Sequence, residues 1–348
     1  MMIEVDNLRI SLFKDLSTKE WGKLLKNFDS TVNYTAWFLN YIEVLNVKSS
    51  IKNLSFVVLN GDVSIAIVPL YVEKIDNYWQ MSMGQEPIYA PIFSKNTQNG
   101  DVLGYYKYIA TRIEKIANQY QCVLSRFHYS PLLYTKISHN YFTEFGYEED
   151  ILYPDWYIFK SNHSYVIDLS NTKELLLKQI RKGHRSNISQ TKKNAKLIIL
   201  DSYSFDQIVF DRYVKLYYQV KGIRRSAEVF KLDSMAIKTG FEIIMLCEYN
   251  GELVGAVALH TYNNKARYNS SVQLYDIDKG IYPNHFLLGA AIDYLKENGF
   301  ELFEIGEQVT QSDLYQVSEK EKNLSHFKAG WGGDLMPWMK AQKEFNHV

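Results

Sequence analysis

Near the C-terminus, the stretch "LSHFKAGWGGD" sets Lys328 between Phe327 and the glycines Gly330, Gly332 and Gly333. Lysine is poorly suited to burial, whereas glycine lets a backbone come close to a neighbour because no Cβ stands in the way. Two readings fit. One is a tight turn that closes a domain and leaves Lys328 in solvent; the other is a backbone brought close to something that a positive charge must also reach. A second cationic feature lies between Asn171 and Leu200, where eight Lys/Arg stand against one acidic residue, Glu174. On one long helix, "TKELLLKQIRKGHRSNISQTKKNA", the residues Lys178, Arg181, Lys182, Arg185, Lys192 and Lys196 would crowd one face at i+3/i+4 steps, with Leu177, Ile180 and Ile188 on the other. Such a face is either simply solvated or holds an anionic ligand, because unrelieved like charges cost about a few tenths of a kcal/mol per pair.

Other chemistries find little support. The histidines are scattered and form no Ser-His-Asp signature, and no Cys/His cluster has zinc spacing, so no metal is expected. Cys122 in "YQCVLSRF" and Cys247 in "IIMLCEY", the two cysteines, sit in apolar runs and read as reduced core residues. Lys+Arg and Asp+Glu number 39 each, a balance that argues against a general nucleic-acid coat protein. The 27 tyrosines suit ordinary core packing, and no site is drawn from them. The opening "MMIEVDNLRISLF" is acidic where a secretory leader is basic, and no apolar run approaches membrane-spanning length, so the expectation is a cytoplasmic protein.

The 348 residues fit two domains better than one core. The first half reads as strand "NLRISLF", helices "TKEWGKLLKNF" and "TAWFLNYIEVL", a hairpin turning at Asn60–Gly61, helix "GYYKYIATRIEKIANQY" and strand "CVLSRF". The second half repeats that order: strand "SYVIDLS", the basic helix, helix "SFDQIVFDRYVKLYYQVKG", a hairpin at Asn250–Gly251, strand "KARYNSSVQL", helix "NHFLLGAAIDYLKENG" ending at Gly299, and strand "FELFEIG". Matching hairpins at matching places point to an architectural duplication with its boundary near residues 153–164. The expected domains are 1–155 and 160–348.

Strand–turn–strand "NGELVGAVAL", then a strand, a helix and "FELFEIG", resembles the core of GNAT acyltransferases. Two such cores in tandem resemble the Fem family, the FemA/FemB/FemX-type transferases. The likeness spans nearly the whole chain and is strongest over about residues 165–335, with "QEPIYAPIF" similar to the family's Pro-Tyr-Gly-Pro-like segment. It implies an α/β fold of two GNAT-like domains, each a central mixed β-sheet flanked by helices, with the acceptor on the N-terminal side of a cleft and the acyl donor on the C-terminal side. It also implies an N-acyltransferase that joins an aminoacyl or acyl group to a primary amine on a cell-envelope precursor or amino sugar. The donor would be aminoacyl-tRNA or acyl-CoA, with no cofactor bound tightly. The acceptor would be a nucleotide- or lipid-linked precursor, or an amino sugar in polysaccharide biosynthesis. A catalytically silent tandem domain that binds tRNA or a nucleotide sugar is the alternative from a different class. The chain lacks the long coiled-coil arm of some Fem members. It also lacks the Arg/Gln-x-x-Gly-x-Gly/Ala loop of ordinary GNAT enzymes; in its place "KGIYPNHFLLG" opens a helix at Pro283 and Asn284, whose free N–H groups suit an anion.

The resemblance carries the family's Phe-Lys onto Phe327 and Lys328, and its terminal turn onto Gly332 and Gly333. Amide formation passes through a tetrahedral oxyanion, and a lysine there would stabilise it or neutralise a donor phosphate. Arg181, Arg185 and Lys192 would bind an anionic donor or acceptor. Asn269 and Ser271, alternating in "YNSSVQ", would offer hydrogen bonds to the donor from one strand face. Glu304 in "FELFEIG" is the candidate general base, with Glu307 just beyond it and His260 as another possibility; a substrate group could equally take the proton.

Overall fold

The computed structural model describes residues 7–46, 50–97, 99–133, 157–274, 280–309 and 317–345. The chain forms two compact units, Met1–Ser161 with Pro337–Val348, and Asn162–Met336. The last twelve residues or so depart from expectation: from Pro337 onward they belong to the first unit.

In the first unit, β1 (Leu8–Leu12) is followed by α1 (Thr18–Leu25) and α2 (Ala36–Leu45). Ser17 opens α1 with a capping box to Glu20, and Thr35 caps α2. Then come β2 (Lys52–Asn53), β3 (Phe56–Asn60), β4 (Val63–Val68), β5 (Tyr71–Ile75), β6 (Tyr78–Met81), β7 (Ile88–Tyr89), β8 (Ile92–Phe93), α3 (Asn99–Tyr120) and β9 (Cys122–Tyr129). One sheet runs β1-β3-β4-β8; another runs β9-β6-β5-β2, with β7 also on β9. Met339–Glu344 of the C-terminal strand lies antiparallel to Tyr129–Leu124, and this pairing ties the chain's end to the first unit.

β10 (Tyr157–Asp168) starts in the first unit and continues into the second, which carries α4 (Lys173–Gln179), α5 (Lys182–Lys192), β11 (Lys196–Leu200), α6 (Gln207–Lys221), α7 (Ala227–Thr239), β12 (Glu242–Tyr249), β13 (Glu252–Tyr262), β14 (Lys265–Gln273), α8 (Pro283–Glu297), β15 (Leu302–Gln308) and α9 (Glu319–Ala329). The final strand, β16 (Asp334–Glu344), starts in this unit and ends in the first. The sheet order is β11-β12-β13-β14-β15-β10. Neighbours are antiparallel except β14 and β15, which run parallel over Lys265–Arg267 and Leu302–Glu304. Both faces of β12 are covered, so it reads as a continuous apolar run. Ile243, Met245 and Cys247 face Leu287, Leu288, Ala291 and Leu295 of α8. Ile244 and Leu246 face Phe210, Tyr213 and Leu216 of α6 and Phe230 and Ile237 of α7.

The two hairpins differ in their turns. Asn250 and Gly251 both take positive φ, and Tyr249 pairs with Glu252, as a two-residue primed turn requires. In the other hairpin Asn60 itself pairs with Val63, so Gly61–Asp62 forms the tip, one residue later than the Asn-Gly signal. Both cysteines are free and buried, and burial pushes each thiol up to about 12.

Two helical expectations are corrected. The long basic helix is two helices, because Ile180 and Arg181 are extended, with ψ of 130° and 140°. Leu176 and Ile180 are the buried residues there, whereas Leu177 is 45% exposed. "LSHFKAGWGGD" is the end of a helix before it is a turn: Ser318 and Glu321 form a capping box that starts α9, and Lys328 lies in its last turn.

Candidate active site

The break between α4 and α5 receives the end of α9. The Arg181 backbone N–H donates to the Gly330 carbonyl at 2.8 Å. Its guanidinium donates to the His326 carbonyl at 3.2 Å and lies 2.6 Å from the His326 ring. His184 Nε2 stands 2.9 Å from the Phe327 carbonyl. The last turn of α9 leaves carbonyls without helical partners, and these donors from α5 satisfy them. Arg185 does the same for α4, donating to the carbonyls of Leu177, Lys178 and Ile180 at 3.1, 3.3 and 2.7 Å. Arg181 and Arg185 therefore hold helix ends. Lys178, Lys182, Lys192 and Lys196 remain exposed, with Lys192 in the last turn of α5.

Glycine clears space for the chain's own parts around this junction. A Cβ on Gly330 would clash with the His184 ring, one on Gly332 would meet Gln179 Cβ at 2.6 Å, and one on Gly333 the Val166 carbonyl oxygen at 2.6 Å. Phe327 packs beside His184, His285 and Trp331, with ring centroids 5.3, 5.2 and 5.8 Å away. His184 and His285 are 4.6 Å apart. Burial lowers both imidazoles, His285 to about 4, so both are neutral near pH 7. Sequence reasoning missed this pair because its members lie on separate helices, 101 positions apart in the chain. Asn284, just inside α8 after Pro283, has a buried carbonyl oxygen with no hydrogen-bond partner among the described residues.

Lys328 points the other way, toward β15. Its ammonium donates to the Glu307 carbonyl at 3.1 Å. Burial pulls its pKa down; the Glu307 and Glu304 carboxylates pull it back up, and Arg267 pushes it down. Glu304 is 2% exposed. One of its oxygens accepts from Ser164 Oγ at 2.8 Å, and the other lies 3.6 Å from Arg267 Nε. Glu242–His260, His260–Arg267 and Arg267–Glu304 are register partners, so a line of ionisable groups crosses four strands. Burial, with Arg267 and Arg225 nearby, drives His260 down to about 3. It is a buried neutral side chain, a poor match for the base considered from sequence.

The expected pairing of Asn269 with Ser271 on one face is not what the strand forms. A bulge leaves Asn269 without a register partner on β13, between Tyr268 and Ser270. Asn269 is exposed, while Ser271 accepts a hydrogen bond from the Tyr268 hydroxyl at 2.7 Å. Phe327, Lys328, Arg181, Gly332 and Gly333 thus gather at the end of α9, and Lys328 reaches β15, the strand that carries Glu304. No contact among the described residues ties Arg185, Lys192, Asn269 or Ser271 to Lys328.

No family model matches the sequence, and no curated protein matches it. Solved structures do match in fold. FemX shares 12% identity with a TM-score of 0.65, over 95% of this chain and 96% of that one. L-PGS from Bacillus licheniformis shares 12% with a TM-score of 0.58, over 95% and 93%. A conserved protein of unknown function from Bacteroides thetaiotaomicron shares 8% with a TM-score of 0.54, over 97% and 100%. The chain therefore has the two-unit α/β fold of FemX, as the resemblance implied. No helix among the described residues is long and apolar enough to cross a membrane.

Proposed function

We propose that this protein is an acyltransferase that joins an acyl or aminoacyl group to a primary amine, with Lys328 stabilising the charge that develops on the donor carbonyl. The observation that carries the reading is the setting of Lys328: a half-buried lysine anchored by one backbone carbonyl, just past the end of the parallel strand pair. The fold shared with FemX and L-PGS supports the class of reaction. A preorganised ammonium in a partly dehydrated site acts more strongly on an oxyanion than it would in water, because no solvent must reorganise. Phe327, held by the His184–His285–Trp331 group, fixes the helix turn from which Lys328 projects. The finer reading is an acceptor amine on a nucleotide- or lipid-linked envelope precursor or an amino sugar. The exposed lysines of α4 and α5 suit an anionic donor, aminoacyl-tRNA or acyl-CoA.

The test supplies radiolabelled aminoacyl-tRNA in one arm and acetyl-CoA in another. Each is incubated with amine-bearing uridine diphosphate-linked muropeptide or with glucosamine, and products are resolved by mass. A new amide in either arm supports the reading and names the donor. Absence of product in every arm, from folded protein, favours the silent binding module instead.

A further inference from the structure

The strand beneath Lys328 is irregular where the ammonium crosses it. Tyr165 pairs with Gly306 and Val166 with Glu304, so Ile305 is an extra residue on β15. Gly306 takes φ +116°, a conformation that residues with a Cβ rarely adopt. A Cβ there would stand 2.9 Å from Lys328 Nζ and 3.3 Å from Cε. The end of the lysine therefore occupies the space that a side chain at 306 would fill. One residue before the bulge, Glu304 is held from two sides, by Ser164 on β10 and Arg267 on β14. A carboxylate so buried and so fixed is badly placed to collect a proton from an arriving amine.

We infer that Gly306 and Glu304 form a seat for Lys328: the glycine beside the bulge opens the place where the ammonium stands, the Glu307 carbonyl holds it there, and the fixed carboxylate on the same strand supplies an opposite charge. Glu304 is then a positioning residue, and its effect on transfer is exerted through Lys328. The charged groups that face the ammonium are Glu304 and Glu307 from β15 and Arg267 from β14. The two carboxylates oppose the burial and the guanidinium. The catalytic consequence rests on the function proposed above; the seat itself can be tested without any substrate.

Trace labelling with acetic anhydride over a pH series, read at each lysine by mass spectrometry, reports where each amine loses its proton. In the wild type, the Lys328 profile should lie below that of exposed Lys178. Glu304→Gln keeps the side chain's size and removes its charge, and should move the Lys328 profile down by about one pH unit, the lower end of what a nearby opposite charge supplies. Gly306→Ala should displace the ammonium and bring its profile toward that of Lys178. Should Glu304→Gln fail to fold, Glu304→Ala, which also removes the charge, must shift the profile in the same direction. An unchanged Lys328 profile in a folded Glu304 variant overturns the seat. So does a transfer profile in which Glu304→Gln erases the acid limb and leaves the alkaline limb in place, since that marks a general base. Normal transfer by Lys328→Ala would instead remove the catalytic role and leave the labelling result intact.

Discussion

At the scale of single residues, the basic side chains divide by task. The Arg185 guanidinium closes the carbonyl end of α4, so Arg185→Ala should destabilise the second unit by about 1 kcal/mol. At this size that lowers Tm by about 2–4 °C, measurable by thermal melts. Reversing both Arg181 and Arg185 to glutamate should cost more, because each guanidinium holds helix-end carbonyls. A second prediction concerns pH. Asp233 and Glu242 are 1% exposed, and Arg225 bonds Asp233 at 3.2 Å. Burial raises both carboxyls, Asp233 to about 6, and Arg225 only partly opposes it. A carboxyl raised in the folded state stabilises the fold at low pH, and that contribution is lost as pH climbs through the folded value. Wild-type protein should therefore lose stability relative to Glu242→Gln as pH rises from about 4.5, the ordinary glutamate value, through the raised folded value of Glu242. Buried His260 and His285, lowered to about 3 and about 4, act on the other side: their cost appears as pH falls below about 6.5. Parallel slopes for the two proteins from pH 4.5 upward would contradict the assignment to Glu242.

At the scale of elements, the exposed lysines of α4 and α5 carry the expectation of an anionic partner. Lys178→Glu with Lys182→Glu should weaken binding of the anionic donor and reduce its salt dependence, while Tm stays within about 1 °C, because these side chains hold no helix end. Unaltered donor binding would leave α5 a solvated face. Much of this architecture was legible. Helical spacing located α2, α3, α6 and α8, and Asn250–Gly251 gave its turn. Less legible was the break at Ile180–Arg181, where tertiary bonds to α9 outweigh the helical propensity of the flanking residues. The helix ahead of Phe327 was missed although Ser318 and Glu321 write a capping box, because the glycines behind it read as the whole motif. Glu304 was singled out as a candidate base on a core strand, but its partners Ser164 and Arg267 are 140 and 37 positions away, beyond the reach of periodicity.

At the scale of the molecule, the chain end shows how far contacts reach past sequence order. Met339–Glu344 pairs with β9 of the first unit, so deleting residues 337–348 should destabilise that unit and leave an exposed edge on β9. Limited proteolysis should then cut the first unit well before the second; equal resistance would mean the pairing adds little. A fold shared with FemX at 12% identity fixes the architecture and leaves the chemistry to the residues. The most direct measurement is turnover at saturating donor and acceptor for wild type and Lys328→Ala, each checked by thermal melt. Removing the ammonium should lower turnover by about a hundredfold, on the order of 3 kcal/mol, with little change in KM and in Tm. Lys328→Ala turning over within about twofold of wild type would contradict the account.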